Sequence, residues 1–146
     1  ILFSAHSLPL SHVKRTKDPY PDHIHQCAKT LMDRAFPDHD WDLCYQSKVG
    51  RMPWLGPYTD SALTYLAAKG QDNVLVVPIS FVTDHIETLV EIDQQYIPLA
   101  RELGMAHCHR APALNSRSAF IDALAGLVLD RLDRRGWLDP AGVAHG

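Results

Sequence analysis

Cysteine is scarce in this 146-residue chain: Cys27, Cys44 and Cys108 are the only three. An odd number without C-x-x-C spacing excludes a disulfide framework and a four-thiolate metal site, and it fits a reducing compartment. Positive charge is scarce too, with 14 Lys and Arg against 17 Asp and Glu and a net charge of -3. No basic run interleaves with aromatics, so nucleic acid is not an expected partner. No apolar stretch approaches the ~20 residues of a membrane span, since the longest, Val74 to Phe81, is broken by Pro78 and Ser80. There is no G-x-G-x-x-G, no P-loop, no internal repeat and no low-complexity segment. What remains is the expectation of one globular, cytoplasmic domain over residues 1–138, with a frayed tail at 139–146. The opening "ILFSAHS" has neither an initiator Met nor a charged n-region, so it reads as a strand of a longer protein entered midway.

The apolar pattern predicts alternating strands and helices. Ile1 to Ala5 reads as a buried strand leading into a Pro-rich, charged loop, "HSLPLSHVKRTKDPYP". From Asp22, the positions Ile24, Cys27, Ala28, Leu31 and Met32 give a helix with one apolar face. "WDLCYQS" is a second strand and "KVGRMPWLGPYT" a Gly/Pro loop, after which Thr59 can cap a helix with Leu63, Leu66 and Ala67 inward and Gly70 at its end. "NVLVVPISF" has the near-continuous apolarity of a strand buried on both faces. A helix capped by Thr83 or Asp84 then runs toward Gly104, with a bend at Pro98. "AHCHRA" is a short fourth strand. The last helix, from Ser118, is expected to bury Phe120, Ile121, Leu124, Leu127, Val128 and Leu132. The expected fold is α/β: a doubly wound, four-stranded parallel sheet flanked by helices.

In such a sheet ligands bind outside the carboxyl ends of the strands. His6 follows the first strand there, Ser47, Lys48 and Trp54 the second, and Asp84, His85, Glu87 and Glu91 the third. Each alone reads most simply as a solvated surface group, but three loops on one edge weigh together. Glu87, Glu91 and Gln95 form a column at i, i+4 and i+8, where like charges oppose helix formation. The helix dipole accounts for Asp84 and Glu87 but not for Glu91. Carboxylates beside a histidine can pass protons or hold a hard cation transiently. Trp54, in a Pro-rich loop, suits either a lid on the core or a wall for a flat aromatic ligand.

Six stretches, "FSAHSLP", "DPYP", "YQSKVG", "MPWLGP", "NVLVVPISFVTDHIETLVEID" and "FIDALA", together resemble the C-terminal half of ferrochelatases. The resemblance implies one lobe of a two-lobed chelatase fold and the insertion of ferrous iron into protoporphyrin IX. Iron is then a substrate, the N-terminal lobe of the same enzyme is a partner, and this chain alone is expected to be inactive. His6 matches the active-site histidine, Glu87 the glutamate facing it, and Glu91 the next acidic residue of the column. His6 and Glu87 are alternatively metal ligands. Ser47 and Lys48 match residues near the porphyrin propionates, and Met52 and Trp54 match a wall of the pocket. Gln95 departs from relatives with a third glutamate, and Arg51 from relatives with proline. No tightly bound cofactor is expected, nor an iron-sulfur cluster, since the tail lacks cysteines. A hydrophobic product fits peripheral membrane contact. Alternatives are a coproporphyrin ferrochelatase, a cobalt or nickel tetrapyrrole chelatase, and a non-catalytic porphyrin-binding module.

Overall fold

The computed structural model describes residues 1–138, so the tail lies outside the described residues. The chain separates into two compact units, Ile1–Ala113 and a second beginning at Leu114.

In the first unit four parallel strands, β1 (Leu2–His6), β2 (Asp42–Gln46), β3 (Asn73–Pro78) and β4 (His107–Arg110), lie in the order β2-β1-β3-β4. Strand alternation sends β1 side chains to both faces of this sheet. Phe3 meets Ala28 and Met32 of α2 (Tyr20–Ala35) on one face. Leu2 joins Cys44, Leu63, Val76, Ile92 and Ala100 on the other, beneath α3 (Thr59–Ala68) and α4 (Ile97–Glu102). The sheet is therefore doubly wound. Because β2 adds to one side of β1 and β3 to the other, the chain reverses its winding between β1 and β3. A crevice opens at such a reversal.

Several local expectations are corrected. The loop after β1 contains a helix, α1 (Leu10–Thr16), closed by Lys17 in the left-handed region. On α2 the inward residues are Ile24, Ala28 and Met32, whereas Cys27 and Leu31 are exposed. A spacing of four along this helix already fills the groove over β1. Thr59 does not cap α3; its hydroxyl is fully buried, near Ser4 Oγ and Cys44 Sγ at 3.4 Å each. β3 alternates rather than being buried throughout, with Val74 and Val76 inside and Leu75 41% exposed.

The largest difference lies at the carboxylate helix. Residues Glu87–Tyr96 form a π-helix that passes into α4 at Ile97, and neither Thr83 nor Asp84 caps it. Its start is fixed instead by Thr88, whose Oγ1 accepts the His85 N–H at 2.9 Å. The buried residues Thr88, Ile92 and Ile97 are spaced by four and five, a wider turn than the 3.6 residues of an α-helix.

The second unit contains α5 (Ser118–Asp133). None of its residues is buried; Ile121, Leu124, Leu127 and Val128 stand 42–68% exposed. Among the described residues the burial expected of its apolar face is thus not found.

Candidate active site

His6 is the last residue of β1, at the reversal of winding. Its backbone is held from two sides. The N–H donates to Ser80 Oγ beyond β3, and Tyr20 Oη donates to its carbonyl, each at 2.8 Å. Tyr20 reaches that place because Asp18 accepts the Tyr20 N–H within the D-P-Y-P turn that begins α2. The imidazole Nδ1 lies 2.7 Å from the Ser7 carbonyl. A carbonyl only accepts, so Nδ1 carries a hydrogen, and in the neutral ring the lone pair falls on Nε2.

From His6 a row of rings leads to the acidic helix. The Phe81 ring stands edge-on to His6 at 6.1 Å and to His85 at 4.7 Å between centroids. His85 Nδ1 in turn lies 3.1 Å from Glu87 Oε2. The approach is close enough for charge to act but is not aligned as a hydrogen bond, which leaves Nδ1 buried and unpartnered.

Glu91 is gripped from β2. Ser47 Oγ donates to Glu91 Oε2 at 2.8 Å and Gln46 Nε2 donates to the same oxygen at 3.1 Å. Ser47 adopts φ +65°, the left-handed backbone that turns its side chain back toward the helix. The site thus joins Ser47 to a carboxylate rather than leaving it open. Lys48 is also engaged: its Nζ lies 3.3 Å from Asp60 Oδ2 and 3.9 Å above the Tyr58 ring. Burial pushes the Asp60 carboxyl upward, but hydrogen bonds from Ser61 and Lys48 outweigh it and hold the group below its ordinary value.

Trp54 pairs through its backbone with Pro9, and its indole N–H donates to the Val49 carbonyl at 2.9 Å. The loops after β1 and β2 are therefore tied side by side. Met52, 55% exposed, and Arg51 project from this loop toward solvent.

Some members of the site carried no signal of their own in the sequence. Arg110, at the end of β4, grips both oxygens of Asp93 at 2.8 and 2.9 Å and reaches Asp84 at 2.8 Å. This clamps the π-helix and the turn before it to the edge strand. The bonds to Asp93 raise the Arg110 guanidinium above its ordinary value, so it is a permanent cation. Gln46, Ser80 and Tyr20 stood inside or beside the quoted stretches, yet nothing in an amide or a hydroxyl announces which strand it will bridge. Among the described residues no three His, Cys, Asp or Glu gather as a metal cage. His6 and Glu87 lie at opposite ends of the ring row.

A doubly wound α/β unit of this kind is also found in a cobalamin (vitamin B12) biosynthesis CbiX protein of Marinobacter aquaeolei VT8. That structure superposes with a TM-score of 0.58 at 15% identity, covering 91% of this chain and 96% of that one. The likeness concerns the fold. Sequence relationships are closer. The ferrochelatase family profile matches residues 1–132. The ferrochelatase of Synechocystis sp. is 49% identical over 133 residues, and that of Trichodesmium erythraeum 48% over 133, each match covering 91% of this chain. The chain belongs to the ferrochelatase family. It spans about a third, 34–35%, of the length of the curated relatives it matches.

Proposed function

We propose that this chain is the carboxyl-side lobe of a cytoplasmic ferrochelatase that inserts ferrous iron into protoporphyrin IX, the N-terminal lobe supplying the other wall of the pocket. The observation that carries this reading is the convergence at one strand edge of a histidine with a free Nε2 and a helix bearing Glu87 and Glu91. Iron-porphyrin formation breaks two pyrrole N–H bonds as the Fe–N bonds form, releasing two protons. A base near neutrality must therefore face the macrocycle, and His6 Nε2 has the lone pair for it. The next acceptors are His85 and Glu87, 3.1 Å apart, followed by Glu91 one turn along. They offer a route for protons outward, or for iron inward. The Trp54 loop, tied to the chain after β1, is suited to pressing on a planar ligand, while Lys48 and Arg51 bring positive charge for propionates. No helix among the described residues is long and apolar enough to cross a membrane; contact with one would be peripheral.

The test uses the full-length protein that carries this sequence. His6→Ala is expected to lower porphyrin metallation by at least about a hundredfold while porphyrin affinity stays within about tenfold, because a proton acceptor acts chiefly in the transition state. Unchanged turnover would make the chain a porphyrin-binding module instead.

A further inference from the structure

Gln46 is 1% exposed, at the end of β2 in a polar cluster beneath the site, and its amide makes three hydrogen bonds, using both N–H donors and the carbonyl oxygen. Its Nε2 donates to the Glu87 carbonyl at 2.6 Å and to Glu91 Oε2 at 3.1 Å. Its Oε1 accepts from Ser4 Oγ at 2.7 Å. Ser4, itself fully buried, lies 3.4 Å from Thr59 Oγ1, which lies 3.4 Å from Cys44 Sγ. The orientation of the amide is thus fixed chemically. Two acceptors demand the NH2 on one side, and a hydroxyl donor takes the oxygen on the other.

A buried side chain of this kind could be filling space, but Leu or Met would do that without three polar groups to satisfy. Its contacts are also selective. It touches the first peptide carbonyl of the π-helix and the carboxylate one turn later, and so sets the height of that helix over β2 and the direction of Glu91 together. Both of its neighbours' hydrogen bonds to Glu91, its own and that of Ser47, fall on Oε2. Among the described residues Oε1 receives none.

We propose that Gln46 is a positioning residue for the metallation reaction. Anchored by Ser4, it fixes Glu91 so that Oε2 is occupied and Oε1 is presented to the pocket. This rests on the chelatase reading. Removing the hydrogen-bond partners that orient a metal-ligating group typically costs about 10–100-fold in affinity or activity, and a displacement of about 1 Å can cost about a hundredfold.

The experiment uses the full-length protein, with Gln46→Met, which keeps the volume, and Ser4→Ala, which removes the anchor together with the longer contact to Thr59. Two readouts are taken: steady-state metallation and hydrogen exchange of the amides of residues 91–96. Gln46→Met is expected to lower kcat about tenfold or more per folded molecule, with the porphyrin KM within about twofold, and to accelerate exchange in the π-helix. Ser4→Ala should do the same to a smaller extent, about threefold in kcat, and it remains informative if Gln46→Met does not fold. Normal kcat and normal exchange in Ser4→Ala, or a Gln46→Met protein that loses only thermal stability, would overturn the proposal. If the unsubstituted protein fails to metallate porphyrin, the chelatase reading falls, and unaltered exchange in both variants would separately refute the anchoring of the helix.

Discussion

Glu87 lies against His85, whereas Glu91 takes hydrogen bonds from Ser47 and Gln46. Neighbours so different make the two carboxylates separable by substitution. If they pass protons, Glu87→Gln removes the step nearer the macrocycle and should lower the limiting rate more than Glu91→Gln, whose place water can partly take. If they guide iron, the iron KM should rise first. Turnover measured against iron concentration distinguishes these outcomes, and full activity in both variants would mean that the acids are only a solvated helix face. That His6, Glu87 and Glu91 sit on one edge was legible, because each follows a strand and their types are suited to proton transfer. The partners were not. Ser47 reads in the sequence as a ligand group and Gln46 carries no signal at all, since hydrogen bonds between residues more than forty positions apart leave no mark on local sequence.

At the level of elements, the alternation of strand and helix could be read from apolar periodicity, but the π-helix could not. Its carboxylates at i and i+4 satisfy an α-helical pattern nearly as well, and only the buried spacing from Thr88 to Ile92 to Ile97 betrays the wider turn. The Arg110 clamp on Asp93 and Asp84 is the tertiary contact that secures it from the side. Arg110→Met should destabilise the protein by about 2–3 kcal/mol, the worth of charge-assisted hydrogen bonds lost with their carboxylates left behind. Denaturation with urea checks this, and Asp93→Asn should cost less because its amide oxygen still accepts. The exposure of the apolar face of α5 is not legible for a related reason: periodicity says that a face is apolar, not which part of the protein covers it.

For the whole first unit, the buried Cys44 thiol and the half-buried Tyr96 phenol, on the face of the sheet beneath α3 and α4, set a limit in alkali. Burial pushes the Cys44 thiol, ordinarily near 9.0, up to about 11. Burial first, and then the charge of Glu91, push Tyr96 from its ordinary 10.0 to about 12. The folded form therefore holds these protons longer than the unfolded chain does. Stability is complete below pH 9 and is lost as pH rises through 11 and toward 12. The urea midpoint should stay level from pH 7 to about 8.5 and fall from about 9 upward, and Cys44→Ala should flatten the first part of that fall. A midpoint indifferent to pH up to 11 would show that the thiol is more accessible than its burial implies.

The wide turn of residues 87–96 also bears on how this segment tolerates change in length. Each loop of its spiral holds one residue more than an α-helix needs, so a single-residue deletion within 93–95 has a regular structure ready to receive it, and the chain can close up as an ordinary α-helix. What such a deletion costs is phase. Ile97 and α4 remain fixed by the core, so everything upstream turns about the helix axis by roughly a quarter of a revolution or more. Glu91 would then face away from Gln46 and Ser47 in a protein that still folds. Lineages carrying this segment should therefore accept substitutions along it far more readily than any gain or loss of a residue, whereas the exposed 47–58 loop can vary in length at its tip near Gly50 without disturbing the sheet beneath.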